Sequence, residues 1–238
     1  MKKLTGLIHT HSKFSYDSMV SISAIIKFIK SNQLDFVILT DHNTINGSLA
    51  LRAALKDQGI SNVQVPIAAE YHTEYGDIIA AFIESEINYK QPFNQVVQDI
   101  HQQDGLILFP HPYKNHSNIS QIAIVSDLIE VYNSRQSEKD DDMAIKLQKN
   151  HNKPAYWASD AHSIKEYSHV VCELEYKSNS LKEALLNGHI NAKVLTKTSQ
   201  KRVLVSQIIK HIKQRDLKKV LVKMLVFCKL FINKWVKS

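Results

Sequence analysis

The chain has 238 residues, 44% of them hydrophobic and 22% charged, the balance of a globular protein with one sizeable core or two small ones. Its two cysteines, Cys172 and Cys228, stand far apart and form no CxxC pair, which argues against a disulfide scaffold or a thiolate zinc site and fits a reducing cytoplasm. The net charge of +7 is uneven: from Lys197 onward twelve Lys/Arg face one acid, a charge of +11, which leaves −4 for residues 1–196 and disfavours nucleic-acid binding over the whole surface.

In chain order, apolar runs alternate with segments of helical period. Leu4–Ile8 reads as a strand and Ser21–Lys30 as a helix with Ile22, Ile25, Ile26 and Ile29 on one face. Asp35–Thr40 is a buried strand, followed by a helix over about Asn46–Gln58 that stops near Gly59. Val63–Ala69 and Asp77–Ile83 are further strands. Phe93–Gln103 is helical, and Leu106–Phe109 and Leu128–Tyr132 are strands. Lys139–Asn150 is a helix, Ala155–Ala158 a strand, and Val170–Tyr176 the last strand. Ser180 to Glu183 is a capping-box signature for a short helix closing near Gly188. The alternation predicts βα units and a mostly parallel sheet over residues 1–196, with residues 197–238 as a separate tail.

Met1-Lys2-Lys3 is followed by no apolar stretch before His9, and no run approaches the roughly 18 apolar residues of a spanning helix, so a cytoplasmic location is expected.

His and acidic residues fall just beyond the predicted strands. His9 and His11 follow the first, Asp41 and His42 the second, and Glu70 the third. His111 follows Leu106–Phe109, Asn133 follows Leu128–Tyr132, and Asp160 and His162 follow Ala155–Ala158. An isolated HxH, DH or HP dipeptide is most often a strand face, a helix cap or a turn. Together, at the C-terminal ends of parallel strands, they would line one pocket. Imidazole and carboxylate suit Zn, Mn or Fe better than Mg. A carboxylate such as Glu70 can bridge two cations, and a cation pair activates water and clamps a phosphate ester.

These motifs resemble the PHP (polymerase and histidinol phosphatase) family: HTHS with the following acid Asp17, TDHNT, an isolated Glu, HP, an ExxN segment and a final DAH. The resemblance covers about residues 4–192 and implies a distorted (β/α)7 TIM-like barrel that hydrolyses phosphate esters with two or three divalent metals. It also implies that His9, His11, Glu70 and Asp160 hold one metal, that Glu70 and His111 hold a second, and that Asp17, His42 and His162 hold a third. The strand after Glu70, GDIIAAFIES, lacks the additional His of three-metal members, and Asp77 is its candidate replacement. His72 and His116 fall in polar loops and His101 on a helix, so all three are read as surface residues. Arg135 is either a phosphate contact or a surface arginine heading a charged helix. Asn133 orients the pocket, and Asp41 supports it without ligating.

Residues 197–238 predict a basic amphipathic helical tail, with Lys219, Lys223, Lys229, Lys234 and Lys237 on one arc and Leu217, Leu221, Met224, Phe227, Cys228, Phe231, Ile232 and Trp235 on the other. It would lie on an anionic membrane, or pack on the barrel or a second subunit; nucleic acid is the third candidate. Hydrolysis of a small phosphomonoester by metal-bound hydroxide is the leading expectation. A nuclease-type phosphodiesterase, a metal-dependent amidohydrolase and a catalytically silent metal-binding module tethered by its tail are the alternatives.

Overall fold

The computed structural model describes residues 2–177 and 180–235. Lys2–Thr10 (β1) leads to Ile22–Asn32 (α1), Phe36–Leu39 (β2) and Asn46–Asp57 (α2). Ala68–Thr73 (β3), Gly76–Ala81 (β4), Phe93–Gln102 (α3), Leu106–Phe109 (β5) and Ile119–Val125 (α4) follow. Next come Leu128–Asn133 (β6), Glu138–His151 (α5), Ala155–Ala158 (β7), Val170–Tyr176 (β8), Leu181–Asn187 (α6) and His189–Leu195 (β9). Gln200–Lys213 (α7) and Leu217–Trp235 (α8) complete the described chain.

Local chemistry sets the helix ends. The Ser21 hydroxyl accepts from the Ala24 N–H at the start of α1, whose Ile25, Ile26 and Ile29 are buried. Ser137 and Asp140 form a reciprocal capping box on α5, and three acids in its first turn complement the helix dipole.

The strands form two sheets, ordered β2-β1-β8-β9 and β3-β4-β5-β6-β7. Only β1–β2, β5–β6 and β6–β7 pair in parallel; β3–β4, β4–β5, β1–β8 and β8–β9 are antiparallel. This corrects the mostly parallel sheet expected from sequence. The fold is mixed α/β, and its sheets are not closed into one barrel. Isolated parallel bridges, His42 to Glu70, Phe36 to Gln64 and Thr10 to Ala161, cross the two seams.

Two further corrections have a physical cause. The third strand starts at Ala68 and runs on to Thr73, because its polar end pairs residue for residue with β4. Val170–Tyr176 is not the last strand: β9 pairs along its edge, with mostly exposed side chains that give no core signal. Three apolar clusters fill the interior, the first joining Ile8, Ile38, Ile79, Leu108, Leu128 and Tyr156 from six strands of both sheets.

Part of the expected tail touches the body. Lys197 reaches the Asp141 carboxylate and the Asn133 carbonyl, and Lys213 donates to three carbonyls of the loop after β1. On α8, the side chains of Phe231, Ile232, Lys234 and Trp235 lie outside the described residues, as does Lys237.

Candidate metal centre

His9 does not sit in a regular strand. The β1–β2 register slips between Ile8 and Thr10, and His9 has φ 61°. His111 (φ 29°) and Asp160 (φ 49°) are also left-handed, each just past a strand end. Such residues cost about 1–3 kcal/mol each and persist only where surroundings fix them. Here the turns swing the side chains into the space between the strand ends.

The buried Glu130 supplies much of that fixing. Its carboxylate accepts from the His111 N–H at 2.6 Å and the Asn133 side-chain amide at 2.8 Å, and lies 2.9 Å from His9 Nδ1. His9 therefore turns Nε2 toward the centre. Asp41 plays the supporting part read from sequence: it accepts from Ser12 N–H and Oγ, both at 2.6 Å, tying the turn after β1 to the turn after β2. Burial pushes the Asp41 carboxyl up to about 6, against the pull of those hydrogen bonds. Gly47 makes room for the brace, since a Cβ there would stand 1.7 Å from Asp41 Oδ2.

The ligand-type atoms converge in a few groups. His9 Nε2 and His11 Nε2 each lie 3.4 Å from Glu70 Oε2, and 3.5 and 3.2 Å from Asp160 Oδ1. Asp17 Oδ2 is 3.3 Å from His42 Nε2 and 3.0 Å from His162 Nε2. His111 Nε2 is 2.9 Å from Glu70 Oε1, with Asp77 in the same cluster. Asp77 reaches it because β4 runs antiparallel, which brings the start of that strand, not its end, to the pocket.

The donor set fits divalent cations. His9 Nε2, His11 Nε2, His42 Nδ1, Glu70 Oε2, His111 Nδ1 and Asp160 Oδ2 are buried without a hydrogen-bond partner, an arrangement that is costly for a folded protein. Ligands held about 2.1 Å from one cation lie about 3.0 Å apart in octahedral and about 3.4 Å apart in tetrahedral geometry. The 3.2–3.5 Å spacings around His9, His11, Glu70 and Asp160 match those edges.

Without cations the side chains charge one another. Burial opposes ionisation throughout, yet His42 and His9 hold Glu70 well below the usual carboxylate range, and Lys114 and His9 do the same for Asp160. His162 and His42 hold Asp17 down likewise. Against its burial, Glu70 and Asp17 raise His42 to about 9, and Glu70, Asp160 and Glu130 raise His9 well above the ordinary imidazole value. Burial and the neighbouring His162 and His42 drive His11 down to about 3, so its imidazole is neutral at any working pH.

Above the cluster is a cavity of about 280 Å³. Tyr16 stacks on His42 at one wall, with ring centroids 4.5 Å apart. Arg135 is not a surface arginine: its side chain is buried, with Nη1 3.4 Å from Glu166 and Nη2 bonded to Ser206 of α7. Lys114 and Lys210 also line the space. Asn133 turns to Glu130 rather than toward the ligands. His72 and His101 are exposed, as expected. His116 corrects its surface reading: it packs against Gly76, Phe109 and His111, and its Nε2 lies 2.8 Å from the Asp77 carbonyl oxygen.

Sequence reasoning named Glu130 only as the acid of the ExxN segment, without a role, and missed Lys114 and the α7 residues. Glu130 carried a signal, as a lone acid inside the apolar run LIEVY, where a buried charge needs partners.

A family model for the PHP domain matches residues 8–218. A curated Methanocaldococcus jannaschii protein, MJ1587, is 32% identical over 116 residues, covering 44% of this chain and 66% of that protein, just under two thirds of its length. Among solved structures, PsfC from Pseudomonas syringae PB-5123 superposes with TM-score 0.64 at 13% identity, covering 89% of this chain and 99% of that one. A lesion-specific endonuclease from Pyrococcus furiosus gives 0.57 at 15% identity, covering 79% and 58%. A Bifidobacterium adolescentis protein described as a metal-dependent phosphoesterase gives 0.51 at 12% identity, covering 66% and 87%.

Proposed function

The chain belongs to the PHP domain family, and from that premise we propose a metal-dependent hydrolase of phosphate esters whose substrate is a small phosphomonoester. The observation that carries this reading is the set of buried nitrogen and oxygen atoms without hydrogen bonds, at cation-shell spacing, placed beneath a cavity lined by Lys114, Arg135 and Lys210. Its two sheets correspond in this reading to the halves of an open, distorted barrel.

His9, His11, Glu70 and Asp160 would hold one cation. Asp17, His42 and His162 would hold another, and Glu70, His111 and Asp77 a third, with Asp77 in the role a further histidine would otherwise take. Mixed nitrogen and oxygen donors favour Mn, Zn or Fe over Mg. Divalent cations there supply Lewis acidity toward a phosphoryl oxygen and acidify water. The chain's own residues do the rest. Glu130 fixes the His9 ring, Asp41 locks the turns bearing His11 and His42, and Arg135, held by Glu166 and Ser206, adds positive charge to the wall.

The test is hydrolysis of p-nitrophenyl phosphate by chelator-stripped protein reloaded with Mn²⁺, Zn²⁺ or Fe²⁺, beside bis(p-nitrophenyl) phosphate and an amide. Preference for the monoester supports the reading, and preference for the diester moves it to the nuclease-type alternative. Cleavage of the amide alone, or bound metal with no turnover, overturns it in favour of an amidohydrolase or a silent module.

For α8 we propose an anionic lipid surface as partner. Leu217, Leu221, Val222 and Leu225 are exposed together on a helix rich in lysine, at 71, 63, 57 and 65% of full accessibility. No helix among the described residues is long and apolar enough to cross a membrane.

A further inference from the structure

Helix α7 is fixed across the cavity by two of its side chains, Ser206 and Lys213. Ser206 bonds the Arg135 guanidinium. The Lys213 ammonium donates to the carbonyls of Lys13, Ser15 and Ser18 at 2.8, 2.7 and 2.7 Å, gripping the loop that carries Asp17. On the same helix Val203, Ser206, Gln207 and Lys210 form one wall of the cavity over the candidate cation ligands.

The three cations lining that cavity are not equivalent. Lys114 stands 3.6 Å from Asp160 Oδ2, and Arg135 is committed to Glu166 and Ser206. Lys210 makes no ion pair among the described residues; its ammonium rests 4.8 Å from the centroid of the Tyr16 ring. A cation–π contact holds an ammonium in place without neutralising it. Tyr16 itself stacks on His42, so this uncompensated charge lines the same pocket as the metal-type ligands.

We propose that Lys210 is a substrate-binding residue for the dianionic phosphate of a monoester, and that α7 is the specificity wall admitting one ester arm rather than two. This rests on the phosphoester reading above. A monoester at neutral pH carries two negative charges on its terminal phosphate, whereas a diester carries one and needs room for a second arm. An ammonium without a carboxylate partner therefore gains most from the dianion, and a wall anchored through Ser206 and Lys213 excludes the second arm.

The experiment compares metal-loaded wild type, Lys210→Ala and Lys210→Arg in three readouts. These are KM and kcat for p-nitrophenyl phosphate and bis(p-nitrophenyl) phosphate, calorimetric affinity for inorganic phosphate, and metal content. We expect Lys210→Ala to raise the monoester KM and to weaken phosphate binding by about tenfold or more, the size of one charge-assisted hydrogen bond. Diester kcat/KM should fall by clearly less than the monoester value and metal content should not change, with Lys210→Arg recovering most of the monoester loss. Unchanged monoester KM and phosphate affinity, or equal losses on both esters, would overturn the proposal. If wild type hydrolyses no phosphate ester yet binds phosphate through Lys210, the phosphoester reading falls and the anion site stands. Hydrolysis indifferent to Lys210 gives the reverse, and absence of both activity and phosphate binding removes both.

Discussion

Replacing Glu130 by Gln tests how the centre is held rather than what it holds. The wild-type carboxylate faces three donors: His9 Nδ1 at 2.9 Å, the His111 N–H at 2.6 Å and the Asn133 amide at 2.8 Å. A glutamine of the same shape offers one oxygen and two N–H groups, so at least one buried donor comes to face another donor. That costs about 1–3 kcal/mol. The negative charge that favours His9 as a ligand is lost as well, and altering such a partner typically lowers metal affinity about 10–100-fold. Both routes give the same scale, since a tenfold loss is about 1.4 kcal/mol. The assay is Zn²⁺ or Mn²⁺ competition against a chromophoric chelator, with thermal melts to show that the variant folds. Wild-type metal affinity in a folded Glu130→Gln protein would refute the claim that Glu130 sets the His9 ring.

Metal binding at pH 7 should release about one to two protons, because His42 (about 9) and His9 are held protonated by neighbouring carboxylates in the metal-free protein and must be neutral to ligate. Affinity should then weaken by about tenfold per pH unit for each such proton as pH falls; calorimetry in buffers of different ionisation enthalpy reads the release, and its absence would contradict the pairing. Gly47→Ala would drive a methyl into Asp41 and Ser12, so a cost of about 1–3 kcal/mol and a Tm lower by roughly 3–10 °C are expected in a scanning melt; an unchanged Tm would mean the brace is dispensable. The double substitution Leu221→Asp/Leu225→Asp should abolish co-sedimentation with anionic vesicles while leaving hydrolysis intact, and undiminished binding would dismiss α8 as a lipid contact.

The sequence makes some of this centre visible and hides the rest for identifiable reasons. His9, His11, His42, His111, Asp160 and His162 each follow an apolar run by a residue or a few, so a local pattern marks the strand end and the polar group beyond it. The β3–β4 hairpin is less visible: reading the third strand as ending at Ala69 hides the two-residue connection, Glu74 and Tyr75, between Thr73 and Gly76. With that turn missed, Asp77 looked like the start of another parallel strand, and how it reaches the pocket could not be read. Strand direction depends on pairing partners distant in sequence, which residue periodicity does not encode. Lys197–Lys213 was separable by charge, but charge alone does not say that Lys213 satisfies three carbonyls of a loop nearly two hundred residues earlier. Short α4 and exposed β9 escape because neither contributes a long apolar face.

The most direct test of metal-dependent phosphoester hydrolysis is metal content and p-nitrophenyl phosphate turnover, measured together on wild type and Glu70→Gln. Glu70 touches every candidate cation group: His9 and His11 at 3.4 Å, His42 at 3.2 Å and His111 at 2.9 Å. Wild type should carry two or three divalent ions per chain, lose turnover on chelation and regain it with Mn²⁺ or Zn²⁺, and Glu70→Gln should lose both metal and turnover. Turnover that survives chelation, or a folded Glu70→Gln protein keeping full metal content and activity, would contradict metal dependence.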